Sequence, residues 1–395
     1  MLTAALDIIN ENSSFKSTSS ELTGRHCHTM STGAILLADI IPSFVIKSLS
    51  PFLPYNANYR VTISCATAAI SFVTVAFAPS TSIVIAGVAL TSFAAGLGEP
   101  TFLTHSTHYN KNCVSTWSSG TGGAGIIGAL SYSVLREIGF SGRETLLIMI
   151  FVPAIEIWTF YFILTPARPA PVTSEQSPLV EQNVHERIQA DPPLVTIADK
   201  LYYIPELMVY FIPLSLVYFF EYFINQGLHE EFVSLKLPIA VCAVNNFKAF
   251  LSLQFELITF TDVSLSPDQQ YRWYQVTYQI GVFISRSSVN IIQIKRTWMM
   301  AVIQGFIAVF FLNEAIFLFI PSISIVFALI FIEGLQGGLA YVNTYYKMSR
   351  EVPMTRKEFA MNIVASSDSI GITLAGFLAI PVHNWICQLP AEIIV

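Results

Sequence analysis

Apolar runs of bilayer-spanning length recur along most of this chain, separated by shorter polar stretches. A hydrocarbon core of roughly 30 Å needs about 20 apolar helical residues, because backbone groups in lipid find partners only within a helix or a closed barrel. Ten stretches answer that description: Thr32–Ser50, Val61–Pro79, Ser82–Leu103, Ser118–Leu135, Thr145–Thr165, Glu206–Gln226, Trp273–Ile292, Thr297–Phe317, Ser322–Asn343 and Phe359–Ile386. The pattern predicts an all-α polytopic membrane protein. Between the fifth and sixth runs, Pro166–Pro205 is rich in Pro, Glu, Gln and Ser and reads as a solvated linker. It divides the chain into two bundles of about five spans each, 32–165 and 206–386, preceded by a polar segment 1–31 and followed by a short tail 387–395. Two helical halves joined by a polar loop is the layout of many secondary transporters, and equally of any multi-span protein with one long loop. The stretch Leu235–Phe260 is apolar but interrupted by Asn245, Asn246, Lys248 and Glu256. It reads as a lumenal or interfacial insert (235–262), since one more span there would invert every helix after it.

Composition sharpens this picture. Hydrophobic residues make up 53% of the 395 and charged ones only 12%, against roughly 25% charged in an ordinary soluble domain. The formal net charge of -6 gives no basic surface for nucleic acid. Cys27, Cys65, Cys113, Cys242 and Cys387 stand far apart, with no His partners at zinc spacing, so neither a disulfide framework nor a metal site is expected, and no cofactor. No cleavable signal peptide is visible at Met1–Leu6, where Asp7 follows at once.

Lysine and arginine in alternate loops set the orientation. Arg60, Lys111, Arg168, Arg187, Lys200, Lys295, Arg296, Lys347, Arg350, Arg356 and Lys357 form one set; Lys16, Arg25, Arg136, Arg143, Lys236, Lys248 and Arg272 form the smaller other set. The larger set, with the linker, is therefore expected in the cytosol, and residues 1–31 in the lumen or outside. The sequon Asn12-Ser13-Ser14 then lies on the glycosylated side.

Several strings resemble the battenin family of lysosomal membrane proteins: Ala34-Ile-Leu-Leu-Ala-Asp39-Ile-Ile-Pro, Trp117-Ser-Ser-Gly-Thr-Gly-Gly-Ala-Gly125, Glu221-Tyr-Phe-Ile-Asn-Gln-Gly227, Gln270-Tyr-Arg-Trp-Tyr-Gln275, Ser285-Arg-Ser-Ser288, Ala340-Tyr-Val-Asn-Thr344 and Glu358-Phe-Ala-Met361. The resemblance runs from about residue 30 to Leu389, apart from the linker and 235–262. It implies eleven spans in a fold similar to the major facilitator superfamily, residence in late endosomes and lysosomes, and a role in lysosomal homeostasis. The activities it implies are clearance of glycerophosphodiesters, effects on lysosomal pH and transport of basic amino acids. By that comparison most of a first span is missing before Ile9, and the 235–262 insert is foreign to the family. Cys387 is not at the terminus, which argues against prenylation.

An ionisable group in hydrocarbon costs about 2.5–3.5 kcal/mol on insertion scales, so each one within a span is a functional candidate. They are Asp39, Lys47, Glu99, Glu156, Glu221, Arg286, Glu314, Glu333 and Asp368. Lys47, Glu156 and Glu314 lie near span ends or have the reach to snorkel, and are expected to be structural. Glu221 and Asn225 share a helix face beside Gln226, in a span crowded with aromatic rings, and are expected to line a polar cavity with Glu333 and Asp368. Arg286, flanked by serines, suits an anionic phosphodiester head group through paired hydrogen bonds, or else is locked to Glu221, Glu333 or Asp368. Glu99 in Gly96-Leu-Gly-Glu-Pro100 sits where glycines and proline invite a helix break, a place for a carboxylate that takes up a proton or for a packed kink. Gly120-Thr-Gly-Gly-Ala-Gly125 matches G-x-G-x-x-G but opens an apolar helix with no strand before it. It is expected to permit close packing, as are the small-residue pairs Gly334/Gly338 and Gly371/Ala375, with Ser118, Ser119 and Thr121 at a mouth as solute ligands. His105 and His108 read as a solvated pair. Glu175-Gln-Ser-Pro-Leu179-Val180 in the linker resembles an acidic dileucine sorting signal that would engage sorting adaptors.

Two functions lead on these grounds: a secondary transporter contacting lipid and a small solute (an anionic phosphodiester or a basic amino acid), and a non-transporting scaffold or trafficking adaptor acting through the linker. An intramembrane lipid-modifying enzyme is a weaker third that rests only on the link to phospholipid metabolism that the resemblance implies. The chain carries no G-x-S-x-G, no H-E-x-x-H and no Ser/His/Asp grouping, and is not expected to be an enzyme.

Overall fold

A computed structural model describes residues 32–53, 56–106, 108–109, 112–164, 194, 196–225, 267–317 and 319–387. The sequon at Asn12, the sorting stretch Glu175–Val180, Gln226, the insert 235–262 and the tail after Cys387 lie outside the described residues. The helices are α1 (Thr32–Leu49), α2 (Ala57–Ala76), α3 (Thr81–Ser106), α4 (Asn112–Ile138), α5 (Gly142–Met149), α6 (Phe151–Trp158), α7 (Ile197–Asn225), α8 (Pro267–Ser287), α9 (Thr297–Phe317), α10 (Ile323–Glu351), α11 (Met354–Val364) and α12 (Ser367–Cys387). A π-turn over Thr159–Ile163 extends α6, and no strand is found among the described residues.

Local chemistry accounts for several boundaries. Asn56 caps α2 by accepting from the Tyr59 N–H, and Ser141 with Glu144 forms a reciprocal capping box at the start of α5. Gly139, at φ 106°, makes the turn that brings α4 round to α5. Seven helical segments among the described residues are long and apolar enough to cross a membrane: Ala57–Ala76, Thr81–Ser106, Gly142–Ile163, Ile197–Asn225, Thr297–Phe317, Ile323–Glu351 and Met354–Leu378. The other expected spans are present as α1, α4 and α8. Of these, α4 and α8 are the more polar, and where they meet Ser119 bonds Ser287, Arg286 bonds Thr121, and Gly125 lies against Gln279.

One expectation is corrected, and one question left open is decided. The tenth span is not one helix: α11 ends at Val364, and the chain turns through Ala365 and Ser366 before α12 begins. The Ser366 and Ser367 hydroxyls bond back to the Ile363 and Val364 carbonyls and hold the turn. Conversely, α3 is not broken at Glu99, since helix continues through Pro100 to Ser106. Proline removes one donor, and the Thr101 hydroxyl bonds the Leu97 carbonyl beside it.

In the first half α3 packs between α1 and α2, and α2 also meets α5 and α6; in the second, α7 packs on α9 and α12, and α8 on α10. The halves meet along α4 against α8, α1 against α12, and α3 against α11. Apolar side chains such as Phe151, Ile155, Trp158, Phe162, Val209 and Phe306 lie on the perimeter, the arrangement a lipid solvent selects. Small residues set the closest approaches. A Cβ on Gly122 would stand 2.9 Å from the Phe283 Cα of α8, and one on Gly334 would strike the Tyr278 backbone.

The seam between α8 and α10 therefore has no room for a side chain at Gly334. Gly334→Val is expected to destabilise the protein by about 1–3 kcal/mol or more, as overpacked interiors do. A lowered unfolding midpoint of the purified protein in detergent, against wild type, is the check.

Candidate functional site

The polar groups that the spans carry turn inward. Lys47 is 3% exposed, not snorkelling near a span end as its position suggested. Its ammonium lies 2.5 Å from Glu99 Oε2 of α3 and 2.7 Å from Asp368 Oδ2 of α12. One buried cation thus joins two carboxylates, one from each half. Asp368 sits in the first turn of α12, which the break at Ala365–Ser366 creates, and its Oδ1 accepts from the Ser369 N–H and hydroxyl. A carboxylate is favoured there by the exposed N–H groups of a helix start. Glu99 Oε1 accepts from the Tyr341 hydroxyl at 3.0 Å, and that hydroxyl accepts from the Trp117 indole at 3.4 Å. Asp39, half-buried on α1, acts through space on Tyr222 of α7.

Arg286 lies one step further along the interface between the halves. Its guanidinium is stacked on the Tyr341 ring, 4.0 Å from the centroid. It donates to Thr121 Oγ1 of α4 at 2.8 Å and to the Tyr218 hydroxyl of α7 at 3.1 Å. The expected ion pair of Arg286 with Glu221, Glu333 or Asp368 is not formed; Asp368 is taken by Lys47. Its Nε–H is buried and has no partner, and neither has the Ser118 hydroxyl on α4. Ser119 bonds Ser287 at 2.7 Å, tying α4 to α8 beside it.

The remaining acids form a separate group within the second half. Glu221 accepts from the Tyr278 hydroxyl through a short bond. Its other oxygen faces Gly337, where a Cβ would stand 2.5 Å away. One turn along α7, the Asn225 amide donates to both oxygens of Glu333, at 3.2 and 3.4 Å. Gln304 of α9 donates to Glu333 at 3.0 Å. The expected grouping is thus divided: Glu221, Asn225 and Glu333 stand together, and Asp368 joins Lys47 and Glu99.

Other candidates are accounted for locally. Glu314 accepts from the Phe319 and Ile320 N–H groups at the end of α9, and Glu156 stands beside Cys65. His105 and His108 have ring centroids 6.0 Å apart, with Tyr109 in hydrogen-bond contact with His105. Among the described residues no group of three or more His, Cys, Asp or Glu side chains is placed to hold a metal ion. Lys47 and Gln304 were the residues undervalued by sequence reasoning. Gln304 carried a signal, being the one amide in the long apolar run Trp298–Leu312.

Two helical halves meeting on a polar interface define a transporter-like fold of the major facilitator type. The crystal structure of the human organic anion transporter MFSD10 (TETRAN) superposes with a TM-score of 0.51 over 90% of this chain and 80% of that one, at 12% identity. The sequence places the chain more closely. The CLN3 protein family model matches residues 1–389. Battenin of Canis lupus familiaris is 39% identical over 374 residues, covering 92% of this chain and 79% of that protein. Protein BTN1 of Yarrowia lipolytica is 34% identical over 367 residues, covering 90% and 86%. The chain belongs to the CLN3 protein family, whose resemblance its sequence strings carried.

The Lys47 arrangement makes a sharp expectation. Lys47→Met leaves the buried Asp368 and the half-buried Glu99 without their cation and should cost about 3 kcal/mol of stability. Lys47→Met combined with Asp368→Asn and Glu99→Gln removes the uncompensated charge and should recover much of the loss. Thermal unfolding of the purified variants in detergent compares them.

Proposed function

We propose that this chain is a secondary transporter of the late endosomal and lysosomal membrane, moving a small anionic solute of the glycerophosphodiester class out of the lumen. The observation that carries the reading is Arg286: a half-buried guanidinium at the interface of the halves, held by a ring and two hydroxyls, with its buried Nε–H unmet. Hydroxyl partners are neutral and exchangeable, so a phosphodiester displaces them at little electrostatic cost and gains paired, charge-assisted hydrogen bonds. Ser118, also unmet, supplies a further hydroxyl on the facing helix. A basic amino acid would bring a like charge to Arg286, which favours the anion among the solutes that the family resemblance suggests.

Lys47, Glu99 and Asp368 act as the tie that changes hands as the halves rock. Arg60, Lys347, Arg350, Arg356 and Lys357, counted to the cytosolic side, lie at the end where further ties gather. There Lys200 bonds the Pro51 carbonyl at 3.1 Å, Ser50 bonds Asn362 at 3.3 Å, and Asn362 bonds Thr104 through a short contact. We read the conformation as closed toward the cytosol, with Glu99 the carboxylate that takes up a proton from the acidic lumen once Lys47 moves away. The linker, with Glu175, Leu179 and Val180, would engage sorting adaptors, and Asn12 would carry a glycan on the lumenal side.

Arg286→Ala is expected to reach lysosomes in normal amount and to abolish release of glycerophosphodiesters from isolated lysosomes. Arg286→Lys, which keeps the charge and loses the planar fork, should retain only a minor share. Unchanged release from Arg286→Ala lysosomes would make the residue structural and sink the assignment.

A further inference from the structure

Two carboxylates, Glu221 and Glu333, are buried in the second half, and among the described residues no basic side chain is bonded to either. Glu221 is bonded by Tyr278, and Glu333 by Asn225 and Gln304. Four residues of this group, Glu221, Asn225, Gln304 and Glu333, are each at least nine-tenths buried. Within it, three oxygens have no hydrogen-bond partner: Glu221 Oε2, Asn225 Oδ1 and Gln304 Oε1. The two amides spend their N–H groups on Glu333, so their oxygens are brought into its neighbourhood while left unsatisfied. Every unmet atom of the cluster is therefore an acceptor, and the cluster carries two formal negative charges in a medium that penalises each one.

We infer that this cluster is a binding site for a small monovalent cation of the sodium type, held by Glu221, Glu333 and the side-chain oxygens of Asn225 and Gln304. An all-oxygen donor set selects a hard cation, and the lack of any third acid, His or Cys in the group argues against a zinc-like metal. A single proton would neutralise one carboxylate but could satisfy only one of the three unmet oxygens, whereas one cation serves several at once. Further groups face the cluster. Arg286 and Asp368 act on Glu221 through space, and Glu221 acts on Glu333. Gly337 leaves the Glu221 carboxylate room at α10, where any side chain would collide with it. Glu221 and Asn225 on α7, Glu333 on α10 and Gln304 on α9 thus come together from three helices of one half, away from Lys47. A cation bound there would adjust the packing of α7, the helix that also carries Tyr218 against Arg286. The site is distinct from the anion site of the proposed function, although it would couple to it through Tyr218.

The test uses the purified full chain in detergent, with sodium chloride titrated against choline chloride at constant ionic strength. Thermal unfolding and equilibrium binding of radioactive sodium are the readouts. Wild type is expected to show a saturable, sodium-specific rise in midpoint and stoichiometric sodium binding. Loss of one oriented partner typically weakens a metal site by about 10–100-fold. Glu333→Gln, and separately Asn225→Ala, should therefore raise the half-saturating sodium concentration by about tenfold or more. Arg286→Ala removes a cation that acts on Glu221, so it should bind sodium at least as tightly as wild type while losing solute release, and the two assignments fail separately. Absence of sodium-specific stabilisation and of bound sodium in wild type overturns the proposal. So does a response to pH alone that Glu333→Gln removes, because the group would then hold only a proton. Direct sodium binding keeps the test decisive if a variant unfolds, since Gln304→Ala, lacking only a neutral oxygen, supplies the milder comparison.

Discussion

The structure turns on the cost of a charge in hydrocarbon. A lysine ammonium cannot remain buried there unless carboxylates meet it, and Lys47 is met from both sides, by Glu99 in the first half and Asp368 in the second. Once this contact exists, other features become intelligible. The break between α11 and α12 delivers Asp368 at a helix start, where its second oxygen can be satisfied by backbone and serine. Tyr341 bridges Glu99 on one side and carries Arg286 on its ring face on the other. The two halves are thus joined by charge and hydroxyl contacts beside an apolar cluster in which Ile40, Leu103 and Val114 of the first half meet Tyr341, Phe359 and Met361 of the second.

The chemistry falls into two districts. Along the interface lie Lys47, Glu99, Asp368 and Arg286, where opposite charges and hydroxyls are balanced except for an unmet Nε–H and the Ser118 hydroxyl. Inside the second half lie Glu221 and Glu333 with neutral amides, where acceptors outnumber donors. The first arrangement suits an anion that arrives and leaves as the halves move. The second suits a cation held within one rigid half. Both districts lie in one chain of the CLN3 protein family with a major facilitator-type fold.

Much of the architecture was legible in the sequence, because a membrane solvent forces apolar residues to recur at span length and makes each buried charge conspicuous. The helices and the two-half layout followed from that alone. What the pattern hid was contact. Lys47 lies in the last turn of its helix, so snorkelling was the natural expectation; only the fold reveals that two acids from distant helices close over it. The ends of helices were equally opaque: Pro100 allowed either a break or a packed kink and the helix runs through it, while the break at Ala365–Ser366 has neither proline nor glycine to announce it. The division of Glu221 and Glu333 from Asp368 was illegible for the same reason, since spacing along a helix defines a face but not the partner opposite it.

The composition of α4 and α8 carries a consequence for how the protein is made. Their facing surfaces are built from Gly, Ser, Thr, Gln and Arg286, and neither helix is among the segments apolar enough to cross a bilayer on its own. Such a segment enters the membrane poorly when it emerges singly from the translocation machinery. During synthesis α4 must wait, shielded by its own half or by the insertion apparatus, until α8 has been translated more than a hundred residues later. Assembly of the halves is then part of membrane integration itself, and a lesion confined to α8 would leave α4 stranded even though its own sequence is intact.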